Sequence, residues 1–450
     1  MTQFRFLGAT FGGLLVIAGA VGILESGAAD VFLEATRPDF QKISLGVVGI
    51  QNGGGPEEKI KLGGRIEEVL KKDVKRSLVF DLVDLPSLGI KAHDMGNGME
   101  NGSKATFKQA AENGVSVLVW GKAKLKEADK DADINMEGFV YDSGSDEVVG
   151  GKRYAGSPSV VRLMAHRFAD ELVFRYTGEP GIARTKIAYV SEQGSARELF
   201  VMDYDGYDAR QLTADGFLNL MPRWSPDRRF LVFTAYRNRN TQDIDMIELA
   251  TGKRWTLISL GGLNITPALS PDGNFLAFAS SHEGNSEVYR LDTRTKAVQR
   301  LTTNPSGDLS PTWSPTGREV AFVSDRGGGP QVFLMSADGS NVRRLTFEGD
   351  YNAAPAWSPR GNWIAYVCRT ARKEYKLCVI SPDGQKKMQI TAGPGVDDSP
   401  SWSPDGRHLV FSSTADGKSH IYMINADGKD LERLTFEGTH NSAPTWSPAS

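Results

Sequence analysis

The 450-residue sequence contains only two cysteines and six histidines. So few cysteines exclude a fold built on a disulfide framework. The formal net charge of −3 lacks the basic excess typical of nucleic-acid-binding proteins. No G-x-S-x-G nucleophile motif occurs, and the histidines show no metal-ligand spacing: His93, His166, His282, His408, His420 and His440. We therefore expect a protein without catalytic residues, a cofactor or a metal centre.

Long hydrophobic runs are absent after residue 24. Residues 6–24 form one apolar stretch, and small residues follow it at positions 26–29. This pattern predicts a cleaved signal peptide over residues 1–29 and export of the mature chain. The same length of apolar chain would also span a bilayer as an anchor, which is the alternative.

The C-terminal part carries six copies of a Trp-Ser-Pro pattern, with Leu replacing Trp in the second copy. The copies start 44 or 45 residues apart, at Trp224, Leu269, Trp313, Trp357, Trp402 and Trp446. Short apolar runs bounded by Gly, Asn and Asp follow most copies and are typical of strands. A repeat of this length with several strands is typical of a β-propeller blade.

The two ends of the repeat region complement each other. Residues 186–214 resemble a blade without its Trp strand, whereas residues 443–448 resemble a Trp strand without its blade. Pairing of these fragments would close the ring and remove an exposed edge. We therefore predict a six-bladed propeller over residues 186–450.

An α/β pattern precedes the repeats over residues 43–178, and residues 179–185 read as a linker. Strands are expected at 43–50, 78–83, 115–126 and within 134–154, and helices at 56–72, 103–113 and 159–176. The glycines at 53–55 lie between a strand and a helix but match neither common nucleotide-binding motif. We interpret them as a flexible turn.

Both cysteines fall in one predicted blade. Cys368 and Cys378 lie on consecutive strands, so they could face each other across a hairpin. A disulfide would suit an oxidising compartment. The equal alternative is that both cysteines stay reduced and only pack in the core.

A polar residue stands five positions before each Trp or Leu of the repeat: Asn219, Asn264, Asp308, Asn352, Asp397 and Asn441. Each single side chain is expected to form an Asx turn into the inner strand. Together the six loops predict a preorganised polar mouth that suits a peptide or a protein loop. Calcium binding is a weaker alternative, because two carboxylates are few for such a site.

The chain resembles the TolB family of periplasmic propeller proteins. The resemblance is strongest at Arg184–Val190 and at Asp203–Tyr207, and it extends to the ending at 443–448. It implies a monomeric, non-enzymatic periplasmic adaptor of the Tol-Pal system that supports outer-membrane invagination during division and envelope integrity. It also implies that the polar mouth binds the lipoprotein Pal, that other envelope proteins are possible further partners, and that the protein associates with membranes only through its partners.

The same resemblance implies a binding segment for the inner-membrane protein TolA over residues 30–42. Its candidate residues are Val31, Phe32, Leu33 and Glu34. Two other functions remain open at this point. One is a metal-dependent lactonase that uses acids of the funnel, and the other is a general peptide- or glycan-binding propeller.

Overall fold

The first five strands form a mixed sheet. The computed structural model describes residues 41–53, 61–90, 103–127, 132–237, 242–437 and 440–449. The strand order is β2-β1-β3-β4-β5, with β1 parallel to β2 and β3, and the later pairs antiparallel. The strands are β1 (Ile43–Asn52), β2 (Phe80–Val83), β3 (Val117–Glu127), β4 (Ala132–Asp142) and β5 (Glu147–Gly156).

Helices cover both faces of this sheet. They are α1 (Leu62–Arg76), α2 (Lys104–Glu112) and α3 (Val161–Thr177), with short 3-10 helices at Leu85–Leu88 and Pro158–Val160. One core cluster contains residues of α1 and α3, and another contains Phe107 of α2 with Trp120 and Tyr141 of the sheet. The mixed strand–helix pattern of the sequence therefore folds as a three-layer α/β region.

The first helix differs from its prediction. It begins at Leu62 and ends at Arg76, whereas the sequence predicted residues 56–72; residues 54–60, which include two of the three glycines of the predicted turn, lie outside the described part. Gly63 permits its close approach to β1, because a Cβ there would lie 1.9 Å from the Ile50 carbonyl oxygen. The second helix agrees closely, because the Ser103 hydroxyl accepts a hydrogen bond from the Thr106 amide and caps its first turn.

The later strands form a β-propeller. Four sheets have four strands each: β13 (Asn264–Leu269) to β16 (Val298–Arg300), β17 (Asp308–Trp313) to β20 (Arg343–Arg344), β21 (Asn352–Trp357) to β24 (Lys387–Gln389), and β25 (Asp397–Trp402) to β28 (Glu432–Arg433). Their middle strands are β14 (Phe275–Ser280), β15 (Glu287–Asp292), β18 (Glu319–Ser324), β19 (Gln331–Ser336), β22 (Ile364–Arg369), β23 (Tyr375–Ile380), β26 (His408–Ser413) and β27 (His420–Asn425).

A fifth sheet of eight strands joins both ends of the propeller. It contains β6 (Lys186–Gln193), β7 (Ala196–Asp203), β8 (Arg210–Gln211), β9 (Leu218–Trp224), β10 (Phe230–Tyr236), β11 (Asp243–Glu248), β12 (Arg254–Ile258) and β29 (Asn441–Trp446). The last strand, β29, pairs antiparallel with β6, with Asn441 opposite Ser191 and Trp446 opposite Ile187. This is the pairing of ends that the sequence led us to expect.

The first strand of each repeat lies innermost. We call β9, β13, β17, β21, β25 and β29 the inner strands; each contacts the next, and β29 contacts β9, so the six form a ring around an axis. No helix among the described residues has the length and apolar character needed to cross a bilayer. The predicted signal peptide, and Val31, Phe32, Leu33 and Glu34 of the predicted TolA segment, lie outside the described residues.

Candidate functional site

The six predicted polar residues all lie near the start of an inner strand. We call the surface formed by the loops that enter these strands the Asn/Asp face. The side chains themselves are buried, because each residue is 3% exposed or less: Asn219, Asn264, Asp308, Asn352, Asp397 and Asn441. They therefore support this face from beneath and present little of their own surface to a partner.

Their polar atoms bond within the chain. The Asn352 amide donates to Gln331 Oε1 at 2.9 Å and to the Glu348 carbonyl at 2.8 Å. The Thr346 hydroxyl also donates to Gln331 at 2.8 Å, and it accepts from the Val332 amide. This network connects the entering loop with two strands, so it holds the loop in a fixed shape.

The two carboxylates of the set already pair with cations. Asp308 lies 2.7 Å from Arg326, and Asp397 lies 3.3 Å from the Lys376 ammonium. Burial raises the pKa of Asp308, against the opposing effects of Ser324 and Arg326. Because each carboxylate is matched by its own cation, these residues suit calcium poorly.

Apolar side chains are exposed on five of the six loops that enter the inner strands. The largest exposed fractions on these loops are 72% for Phe347 and 74% for Phe436. The others are 37–44% exposed: Phe217, Leu260, Leu263 and Val396. Sequence reasoning missed them, although the repeated string Leu-Thr-Phe-Glu-Gly before two inner strands was a usable signal.

Each inner strand also contains a bulge. In every repeat a proline lies two positions before the Trp or Leu, and the residue before that proline has a positive φ of 47–54°: Met221, Thr266, Ser310, Ala354, Ser399 and Ala443. Sterics disfavour this conformation for non-glycine residues, so it persists only where the surrounding structure holds it. The Asn/Asp face therefore rests on a stiff backbone ring.

The opposite ends of the inner strands surround an axial cavity of about 560 Å³. Trp224, Leu269, Trp313, Trp357, Trp402 and Trp446 contribute to its wall, together with the prolines that follow them. Arg223 also lines the cavity. The Trp224, Trp313 and Trp402 indoles donate to carbonyl oxygens of the neighbouring inner strand, each at 3.0 Å.

A buried polar cluster joins the α/β region to the propeller. His166 Nδ1 lies 2.7 Å from Asp73, and the Tyr204 hydroxyl donates to the same carboxylate at 2.5 Å. Arg162 forms an ion pair with Asp205. Thus Asp203–Tyr207, the string that carried the family resemblance, supplies part of the contact between the two regions.

Burial and the neighbouring charges shift the pKa values of two residues in this cluster. Burial raises the pKa of Asp73, against its bonds to His166 and Tyr204. Burial alone would lower the pKa of His166, but Asp73 outweighs it and the pKa is raised. The side-chain atoms of Asp73, His166 and Asp205 that could bind a metal ion lie within 4.8 Å of one another. Because Arg162 already pairs with Asp205, we interpret these residues as an ion-pair network that holds the α/β region to the propeller.

The two cysteines are joined in the structure. Cys368 and Cys378 form a disulfide across β22 and β23, with a Cα–Cα distance of 5.8 Å. Both are buried in a cluster with Leu345 and Tyr366. The bond crosses this hairpin close to the Asn/Asp face, because Cys368 lies opposite Asn352 where β22 pairs with β21.

The fold and the repeated loops define a β-propeller with an appended α/β region, a class that usually binds other molecules. The family model for the TolB β-propeller domain matches residues 173–377 and 370–450. The chain therefore belongs to the TolB propeller family.

Individual relatives agree with this assignment. A Tol-Pal system protein TolB of Desulfosudis oleivorans is 32% identical over 271 residues, which are 60% of this chain and 60% of that protein. One of Geobacter sulfurreducens is 37% identical over 225 residues, 50% of this chain and 49% of the relative. These matches thus span about half to three fifths of the relatives' lengths. The crystal structure of TolB from Acinetobacter baumannii has a TM-score of 0.74 and 25% identity, and the match covers 91% of this chain and 97% of that one.

Proposed function

We propose that this protein is a non-enzymatic adaptor of the Tol-Pal system in the periplasm. Two lines support the proposal: the relatives are named as Tol-Pal system proteins, and the sequence begins with a predicted signal peptide. In this proposal the Asn/Asp face binds Pal and residues 30–42 bind TolA. Such an adaptor would connect inner and outer membranes while the outer membrane invaginates during division.

The proposal also needs a rigid propeller with six blades. We count the eight-stranded sheet as two blades, because β7 and β9 are joined only at Arg197 and Leu218. The units are then a leader (30–42), an α/β unit (43–178), a linker (179–185) and a propeller (186–450). A closed ring of this kind presents its loops in one geometry, which reduces the entropy lost on binding.

The observation that carries the proposal is the exposed apolar rim of the Asn/Asp face. Phe347 and Phe436 are more than two thirds exposed, and Arg344 and Arg433 lie over their rings at 5.0 and 5.2 Å. Exposed aromatic residues beside arginines are typical anchors of protein interfaces. A folded protein partner suits this arrangement better than a small ligand, because the rim is spread over several blades.

Replacing both rim aromatics tests the proposal. We expect Phe347→Ala with Phe436→Ala to weaken Pal binding by up to roughly 1000-fold, since two interface hot spots of about 2 kcal/mol each sum to about 4 kcal/mol. Isothermal titration with purified Pal would measure this. The matched control is Phe174→Ala, which removes a phenylalanine that is 59% exposed on α3, away from this face.

The control should bind Pal like the unchanged protein. Thermal unfolding of both variants would show whether the fold is kept, as expected for exposed side chains. Unchanged Pal affinity in a folded double variant would place the Pal site elsewhere. The six buried Asn and Asp residues are poorer targets, because their removal would disturb the loops themselves.

A further inference from the structure

Arg223 occupies an unusual place on the propeller axis. It lies one residue before Trp224 at the end of the inner strand β9 and lines the axial cavity. The equivalent positions of the other inner strands hold small residues: Ala268, Thr312, Ala356, Ser401 and Thr445. One long cationic side chain therefore stands in a ring of short ones, which leaves room for a ligand beside it.

The guanidinium of Arg223 has no acidic partner among the described residues. Within the part of the chain that the structure describes, the guanidinium donates a hydrogen bond to the carbonyl of its neighbour Pro222, at 3.0 Å. Burial lowers the pKa of Arg223 to about 10, so the group is still charged at neutral pH. Arg326 and Arg254, by contrast, both pair with buried carboxylates of the propeller.

An unpaired charge in a confined place is costly unless an anion or water compensates it. The cavity of about 560 Å³ is large enough for a ligand of peptide size. Much of its wall consists of tryptophan, proline and alanine, and three indole N–H groups are already bonded to backbone carbonyls. The cavity wall therefore suits a ligand with an apolar portion, and Arg223 suits a ligand that carries one negative charge.

We propose that the axial cavity binds an organic carboxylate, with Arg223 pairing with the carboxylate and the tryptophan and proline side chains packing against the rest. A guanidinium matches a carboxylate through two parallel hydrogen bonds. A phosphate would bring a second negative charge, for which the cavity wall offers no second cation among the described residues. The carboxylate can belong to a peptide terminus or to a small acid.

The surroundings of the cavity favour anions. A second cavity of about 450 Å³ shares Trp224 and Ser447 with it. Its wall contains one acid, Asp227, and four basic residues: Arg184, Lys186, Arg210 and Arg228. Two of these bases are held in ion pairs, Arg184 with Asp170 and Lys186 with Asp203. The local positive charge would still attract an anion at low salt.

This site is separate from the proposed Pal surface, because it lies at the other end of the inner strands. The test uses the full chain and follows its tryptophan fluorescence, since five tryptophans line the cavity. The probe is N-acetyl-trialanine with a free carboxylate. We expect saturable binding that is about tenfold or more weaker for the C-terminal amide, because a charge-assisted hydrogen bond is lost.

Variants test the role of Arg223 directly. We expect Arg223→Met to abolish binding of the free acid and Arg223→Lys to retain it in weakened form. The matched control Arg318→Met removes an exposed arginine in the turn after β17, at the same end of the propeller but two inner strands away from β9, and should bind normally. Equal binding of acid and amide by the unchanged protein would overturn the proposal, and that comparison does not depend on any variant folding.

Two further probes identify the source of the ligand. Sodium acetate that competes as well as the peptide would support the proposal for small acids, and weak competition would support it for peptide termini. Inorganic phosphate that binds more tightly than the peptide would overturn it. Loss of Pal binding in the rim variants, with peptide binding unchanged, would show that the two sites are independent.

Discussion

Replacing Lys376 by glutamine should destabilise the propeller strongly. The Lys376 side chain is 0% exposed, and that of its partner Asp397 is 5% exposed. The ammonium donates to Asp397 at 3.3 Å and to the Gly395 carbonyl at 2.8 Å. Without the lysine, the carboxylate keeps the Ser413 hydroxyl at 2.6 Å but has no cation. Breaking a buried pair from one side costs about 3–5 kcal/mol of unfolding free energy.

The neighbouring blade shows how the loss can be repaired. There Gln331 and Asn352 occupy the same two positions and form a neutral hydrogen bond of 2.9 Å. The double variant Lys376→Gln with Asp397→Asn reproduces this neutral pair, so it should recover to within about 1 kcal/mol of the unchanged protein. Only the single variants should be severely destabilised.

Urea unfolding followed by circular dichroism would measure all four proteins of this cycle. The matched control is Lys387→Gln, which breaks a pair with Glu348 at 2.6 Å whose side chains are 36% and 81% exposed. An exposed pair contributes about 1 kcal/mol or less. If the double variant is no more stable than the single ones, the two residues do not form a compensating pair and the reasoning is refuted.

Two more predictions concern the contacts that hold the molecule together. Ending the chain before Asn441 removes β29 and exposes the edge of β6, so the thermal midpoint and solubility should fall; a melting curve equal to that of the full chain would contradict this. The raised pKa of His166 gives a contribution to stability that is complete below the ordinary value of 6.5 and is lost as the pH rises through the folded-state pKa. His166→Phe should remove this pH dependence of the unfolding free energy. Unfolding curves over a pH series measure it, and an unchanged pH dependence in the variant would contradict the prediction.

Much of the fold could be predicted from the sequence, because the repeats and strand patterns are properties of short stretches of chain. The spacing of the Trp-Ser-Pro copies predicted the propeller, and the complementary fragments at residues 186–214 and 443–448 predicted the pairing of β6 with β29. The helix predicted over residues 103–113 agrees closely with α2, whose first turn the structure shows to be capped by Ser103. The first helix was placed less well, since a proline and two acids gave a start signal near 56 that the helix beginning at Leu62 does not use.

The sequence by itself determined which residues recur, and therefore the repeat, its strands and the polar position at the start of each inner strand. Only the tertiary structure decided that Asn219 and its five equivalents are buried, that Arg223 faces the axis without an acidic partner among the described residues, and that His166 meets Asp73. A repeat fixes the period of a side chain but not its surroundings. Those depend on neighbouring strands and on contacts between residues as far apart as Asp73 and Tyr204, which are 131 positions distant.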